Sequence, residues 1–304
     1  MFFSDAFRRI EASVEAVLPE QYRQRKGNAW TRANPGRDVD AFLEGPAFDR
    51  QGRMYFVDIP FGRIFRMEID RRISLIAEYD GWPNGLKVHK DGRIFVADFK
   101  RGIVIVDPDR GSVSDHIGET NSEAFKGVND LVFATNGDLY FTDQGHTGWH
   151  DPSGRVYRLT NKSRLERLID TVPSPNGICL NREESQIYLA VTRANAVWRL
   201  PIRRDGDVSK VGTFLQLSGG FAGPDGLALD SEGGLIVCHI GIGVWRFDAR
   251  GIPTHLIETS RGTHITNACF GGADRKTLYM TESDSGSILS APMPFAGVVP
   301  YSHS

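Results

Sequence analysis

The chain has no run of the roughly 18 consecutive apolar residues that a membrane-spanning helix requires. Its first residues, MFFSDAFRRIEASVEAV, are broken by Asp5, Arg8, Arg9, Glu11 and Glu15, so they read as neither a spanning helix nor a secretory signal. Excess charge of one sign is also missing. Against 38 Asp and Glu there are 36 Lys and Arg, a net charge of −2, and no basic field is present to draw nucleic acid or an anionic membrane. Cysteine is scarce: Cys179, Cys238 and Cys269 lie inside the apolar strings GICL, LIVCHI and NACF rather than at metal-ligand spacing. An odd number argues against a disulfide framework and for small buried hydrophobes. No Gly-Xaa-Ser-Xaa-Gly elbow occurs, so a serine nucleophile finds no support. Convincing helical periodicity is absent from the body of the chain. These absences leave a soluble, cytoplasmic, all-β protein, a monomer or small homo-oligomer with a small-molecule partner, as the expectation.

What is present is a repeat. Six related segments read Leu43-Glu44-Gly45-Pro46, Pro83-Asn84-Gly85, Val128-Asn129-Asp130, Pro175-Asn176-Gly177, Pro224-Asp225-Gly226 and Thr266-Asn267-Ala268. They recur at roughly 40–50 residues, the period of a four-stranded propeller blade. The text after the anchors agrees: PAFDRQGRMYFVD, GLKVHKDGRIFVAD, DLVFATNGDLYFTD and GLALDSEGGLIVCH each give an apolar strand, a tight turn and a second strand of β-branched and aromatic residues. The spacing predicts a six-bladed β-propeller over residues 42–304, forming one domain with a 1–41 extension. Blades around one axis bring equivalent positions together, here Glu44, Asn84, Asn129, Asn176 and Asp225. A ring of hard oxygen donors suits a divalent cation.

The extension reads as a short helix over about residues 4–11, capped by Ser4, and a strand over about 13–18 that closes the ring by completing the last blade. Residues 19–41, with Trp30, form a connection that is either a lid over the mouth or an exposed loop. In each blade the second strand returns to the anchor's face, so Asp58, Asp98, Asp143, Thr192, His239 and Glu282 with Ser283 form a polar rim. For Asp58, Asp98 and Asp143 an Asx cap and a pocket role both remain open, and His239 is either a satisfied rim histidine or a substrate contact. The longest excursion on that face, Gln144–Asp151, brings His146, Trp149 and His150 towards the substrate.

The ordered anchors, ending in Thr266-Asn267-Ala268-Cys269-Phe270-Gly271-Gly272, resemble the gluconolactonase, regucalcin and senescence-marker-protein family of six-bladed propellers over roughly residues 42–292. The resemblance implies that Glu44, Asn176 and Asp225 ligate a divalent metal in the central channel. It gives Asn129 as a fourth ligand or substrate contact, Asp225 as the base and a sugar lactone as the substrate. Asn84 then falls outside the ligand set, either behind the ligands or in contact with substrate, since five protein ligands would crowd out water and substrate. The chain departs from the pattern at Gly127, where sugar-lactonase members often carry Arg two residues before the channel Asn. Two carboxylates and two amides favour Ca²⁺, with Mg²⁺, Mn²⁺, Zn²⁺ or Fe²⁺ as alternatives, and a dication there would polarise an ester carbonyl while a carboxylate activates water. Metal-dependent lactone hydrolysis is the leading reading. A phosphotriesterase-type hydrolase, as in the similar diisopropyl fluorophosphatase, and a non-enzymatic metal-binding propeller are the alternatives.

Overall fold

In a computed structural model, described for residues 7–24, 27–34, 39–120 and 122–304, the alternating apolar strands pair into six antiparallel sheets arranged around one axis. The innermost strands are Leu43–Phe48, Pro83–Val88, Val128–Phe133, Pro175–Leu180, Pro224–Leu229 and Ile265–Gly271, each followed outward by three strands antiparallel to the one before. Turn chemistry fixes these hairpins. Asp49, for example, takes the Gln51 and Arg53 N–H groups at 2.9 Å, holding the Gln51-Gly52 turn. The core lies between blades: Val57, Ile64, Leu86, Val96 and Val104 are fully buried in the cluster joining blades one and two. Among the described residues no helix is long and apolar enough to cross a membrane.

The N-terminal segment corrects one expectation. Residues 8–11 are a strand, not a helix: Arg8–Glu11 pairs in parallel with Pro253–Glu258, the outer strand of blade five. Ser4, the expected cap, lies outside the described residues. The open edge of blade five offers unpaired backbone groups, and satisfying them outweighs the weak local helical pattern. After Ala12, whose N–H bonds the Glu258 carbonyl at 2.7 Å, Ser13–Val17 pairs antiparallel with Ser287–Pro292 and becomes the fourth strand of blade six. One segment therefore covers two adjacent blade edges and closes the ring, as the closing strand requires.

The connection that follows contains a 3₁₀ turn, Glu20–Tyr22, and a short α-helix, Ala29–Ala33, capped by Asn28 and Thr31. The Asn28 amide donates to the Pro60 carbonyl at 2.8 Å, and the Trp30 ring packs 5.5 Å from Phe42. This pins the helix to the mouth of blade one. At the opposite end the C-terminal tail crosses the far ends of the inner strands, with Val298 N–H on the Leu229 carbonyl at 3.1 Å and Tyr301 stacked 4.9 Å from Phe133.

The returning ends of blades one and two are structural. Asp58 accepts the Phe42 N–H at 2.7 Å and the Arg63 Nε at 3.0 Å, and both side chains of this ion pair are buried. Burial pushes the Asp58 carboxyl up to about 6, against the pull of Arg63. Asp98 takes the Tyr79 hydroxyl and the Lys100 and Arg101 N–H groups. Both act as caps. Because breaking a buried pair strands a charge, Asp58→Asn is expected to cost about 3–5 kcal/mol in urea unfolding at pH 8, with Asp58→Leu/Arg63→Met closer to the parent.

Candidate active site

The site is set by a recurring irregularity at the start of each inner strand. In blade three Val128 faces Asp143 and Leu131 faces Phe141, so Asn129 and Asp130 together oppose Thr142. Similar register shifts occur at Glu44, Asn84, Asn176 and Asp225. Such a bulge re-aims side chains, and these five face a cavity of about 610 Å³ at the mouth of the channel. Blade six breaks the series. Ile265 faces Glu282 and Ala268 faces Met280, which puts Thr266, not Asn267, in the register of Asn129. The Thr266 hydroxyl is spent on the Leu43 carbonyl at 2.8 Å, tying blade six to blade one. Asn267 therefore occupies the position of Asp130, one residue further in.

That displaced amide has a task the sequence did not disclose. Asn267 Nδ2 donates to Glu44 Oε2 at 3.0 Å, and the Gly45 N–H also bonds that oxygen. Burial, and then the like charges of Asp225 and Asp130, push the Glu44 carboxyl well above the ordinary range. Asp130, itself fully buried, has Lys87 as a cationic neighbour, with Nζ 3.8 Å from Oδ1. Acidic groups thus crowd the axis.

Asn129 completes the picture. Its Nδ2 donates to Gln144 Oε1 at 2.8 Å, and Gln144 Nε2 is in turn committed to Ser174 Oγ at 2.9 Å. The network leaves Asn129 Oδ1 buried without a partner, a state that buried polar atoms rarely tolerate. An orphaned amide oxygen beside mutually repelling carboxylates fits a hard cation, so Glu44, Asn129, Asn176 and Asp225 suit the implied metal. Among the described residues there is no cluster of three or more His, Cys, Asp or Glu able to hold one. The set depends on amides.

Of the other sequence candidates, Asn84, His146, Trp149 and His150 line the cavity, and so does Trp30. Asp143 and His239 do not. Asp143 accepts the Gly127 N–H at 2.8 Å and His239 Nε2 lies 3.2 Å from the Gly219 carbonyl, so both turn back to hold loops. Burial raises the Asp143 pKa and lowers that of His239. Trp82, Phe99, Gln144, Arg193 and His264 reach the wall without having been singled out. A positional signal existed for most of them: Trp82 immediately precedes an anchor, and Phe99, Gln144 and Arg193 each directly follow a returning end.

Gly127 now has a physical explanation. At φ 149° it is in a region that favours glycine, and a Cβ there would lie within 2.7 Å of the Phe99 ring. Phe99 packs in tilted contacts onto Trp82 at 5.5 Å and His146 at 5.2 Å. An aromatic ring fills the space in which an arginine at 127 would start.

Residues 42–284 match the family model for the SMP-30/Gluconolactonase/LRE-like region. Lactonase drp35 of Staphylococcus aureus (strain MRSA252) is 33% identical over 226 residues, covering 69% of this chain and 68% of that protein. A regucalcin from Agrobacterium tumefaciens, described as a calcium-binding protein, superposes with a TM-score of 0.78 at 21% identity, covering 98% of this chain and 99% of the other. A gluconolactonase from Xanthomonas campestris gives 0.75 at 23% identity, with coverage of 93% and 99%.

The contact at Gly127 yields a stability test. Gly127→Ala is expected to destabilise the protein by about 1–3 kcal/mol through overpacking against Phe99. Adding Phe99→Ala should return part of that loss, read as non-additivity in a denaturant double-mutant cycle.

Proposed function

The chain belongs to the SMP-30/Gluconolactonase/LRE-like family, and from that premise we propose that it is a divalent-metal-dependent lactonase, with Ca²⁺ the first candidate ion. The observation that carries the reading is the floor of the cavity, where Glu44 meets the like charge of Asp225 and the unpartnered Asn129 oxygen lies on the same lining. Glu44, Asn129, Asn176 and Asp225 would hold the cation. When bound, it supplies Lewis acidity to the ester carbonyl.

The remaining work falls to the chain. Asn267 and the Gly45 N–H fix the Glu44 carboxylate in one orientation. Thr142 Oγ1 donates to the Asn176 carbonyl at 2.9 Å, which anchors the neighbouring bulge. Asp225 is the proposed base: it takes a proton from the water that attacks the acyl carbon and returns it to the ring oxygen as the acyl C–O bond breaks, so that the leaving group stays on the product as a hydroxyl. Asn84 is assigned to substrate, as are the rim side chains His146, Trp149 and His150. Asp143 and His239 contribute by holding the loops that shape the rim. Trp30, Trp82, Phe99 and Trp149 give the wall flat apolar faces, which offer contact area but few fixed hydrogen bonds. This favours a lactone with fewer hydroxyls than a sugar.

Two outcomes follow. Glu44→Gln and Asp225→Asn are each expected to lower kcat by roughly 100-fold or more, the scale of losing one electrostatic stabiliser. Circular dichroism should be unchanged and calorimetric metal binding weakened, whereas Asn84→Ala should keep its metal. Near-parent turnover at saturating metal would refute the ligand assignment. For selectivity, kcat/KM on δ-valerolactone should exceed that on glucono-1,5-lactone. The opposite order, unaltered in Trp149→Ala, would show that another polar residue replaces the missing arginine.

A further inference from the structure

Among the described residues that line the cavity, Arg193 is the one lysine or arginine, and it makes no hydrogen bond or ion pair with any described residue. Comparable arginines near other returning ends are committed: Arg63 to Asp58, Arg101 to Asp115 at 2.7 Å and Arg155 to Glu123 at 2.6 Å. His264, also on the wall, has Asp284 2.7 Å away.

An exposed arginine is ordinarily a solvated surface group, but the base of this one is fixed. It sits in the single turn Thr192–Ala194, whose neighbours are all tied down. Thr192 Oγ1 donates to the Pro224 carbonyl at 2.7 Å and Asn195 Nδ2 to the Gly219 carbonyl at 3.0 Å. Gln216 Nε2 bonds the carbonyls of Ala194 and Asn195 at 3.1 and 3.0 Å. The arginine stem runs over Gly148, where an added Cβ would stand 3.6 Å from Arg193 Cγ and 3.2 Å from His150 Nδ1. A tied-down turn thus presents an uncommitted arginine whose stem passes Gly148, two residues before His150, and all three line the cavity.

We propose that Arg193 binds a carboxylate on the substrate, so that the preferred lactone is an anion carrying an acid group outside its ring. A planar guanidinium matches a carboxylate with two parallel hydrogen bonds. The inference rests on the lactonase reading for the ester end of the molecule. Ring opening adds water across the acyl C–O bond, giving a new carboxylate and a hydroxyl with release of one proton, so the product is a dianion that Arg193 still holds by its original acid.

The test compares a δ-valerolactone bearing a carboxylate next to the ring oxygen with the same ring bearing a methyl group there. Arg193→Gln should raise KM for the carboxylate about tenfold, with kcat within about twofold, the scale of losing a hydrogen bond to a charged group. Constants for the methyl lactone should not move. Arg193→Lys should recover part of the loss. Calorimetry with the ring-opened hydroxy diacid supplies a readout independent of turnover, and Arg193→Gln should weaken that binding by a similar factor. If the parent turns over neither lactone yet binds the diacid through Arg193, the lactonase reading fails and the anion site stands. Equal KM penalties on both lactones, unchanged diacid binding in the variant, or no diacid binding by the parent would overturn the proposal.

Discussion

Closing six blades on one axis forces their inner strands to share a channel, and the rest of the molecule answers to that constraint. Side chains scattered between Glu44 and Asp225 in sequence become neighbours because the ring admits no other arrangement of strands this long. Closure is itself a hydrogen-bonding problem, since any open sheet edge exposes unpaired backbone groups. Here it is solved twice by one segment, which adds Arg8–Glu11 to blade five and Ser13–Val17 to blade six. The site is therefore stabilised by residues remote from it in sequence.

Within the channel, electrostatics and geometry set different limits. The bulges aim five polar side chains at one cavity, and the like charges of Asp225 and Asp130 then oppose ionisation of Glu44. Asn267 and the Gly45 N–H offset part of that repulsion, and Lys87 offsets part of it at Asp130. Asn129 Nδ2 is taken up by Gln144 Oε1 and Gln144 Nε2 by Ser174 Oγ, which leaves the Asn129 oxygen without a partner.

The mouth follows a separate logic. Trp82, Phe99 and His146 form a continuous aromatic run, and Trp30 with Phe42 forms another. The first run exists because residue 127 has no side chain to interrupt it. A departure that reads in sequence as a lost arginine is, in space, a ring gained, while among the described lining residues the arginine arises in blade four at Arg193. Floor and mouth can therefore diverge independently, because the floor is built on strands and the mouth on the loops between them.

The sequence by itself determined the six-blade period, the anchor positions and which polar residues meet at the axis, because period-two strands, turn residues and repeat spacing are local properties of the chain. Even the closing strand at Ser13–Val17 was legible, from the requirement that a ring hide its edge. Three features needed the tertiary structure. Arg8–Glu11 became a strand because a distant sheet edge outweighed its local pattern. Asn267 moved one place out of the anchor series because pairing register, not motif similarity, decides which residue faces the axis. Asp143 and His239 left the cavity wall because their side chains found backbone partners behind it. Each depends on which atoms lie across a blade boundary, and chain spacing places a residue at that boundary without specifying what it meets there.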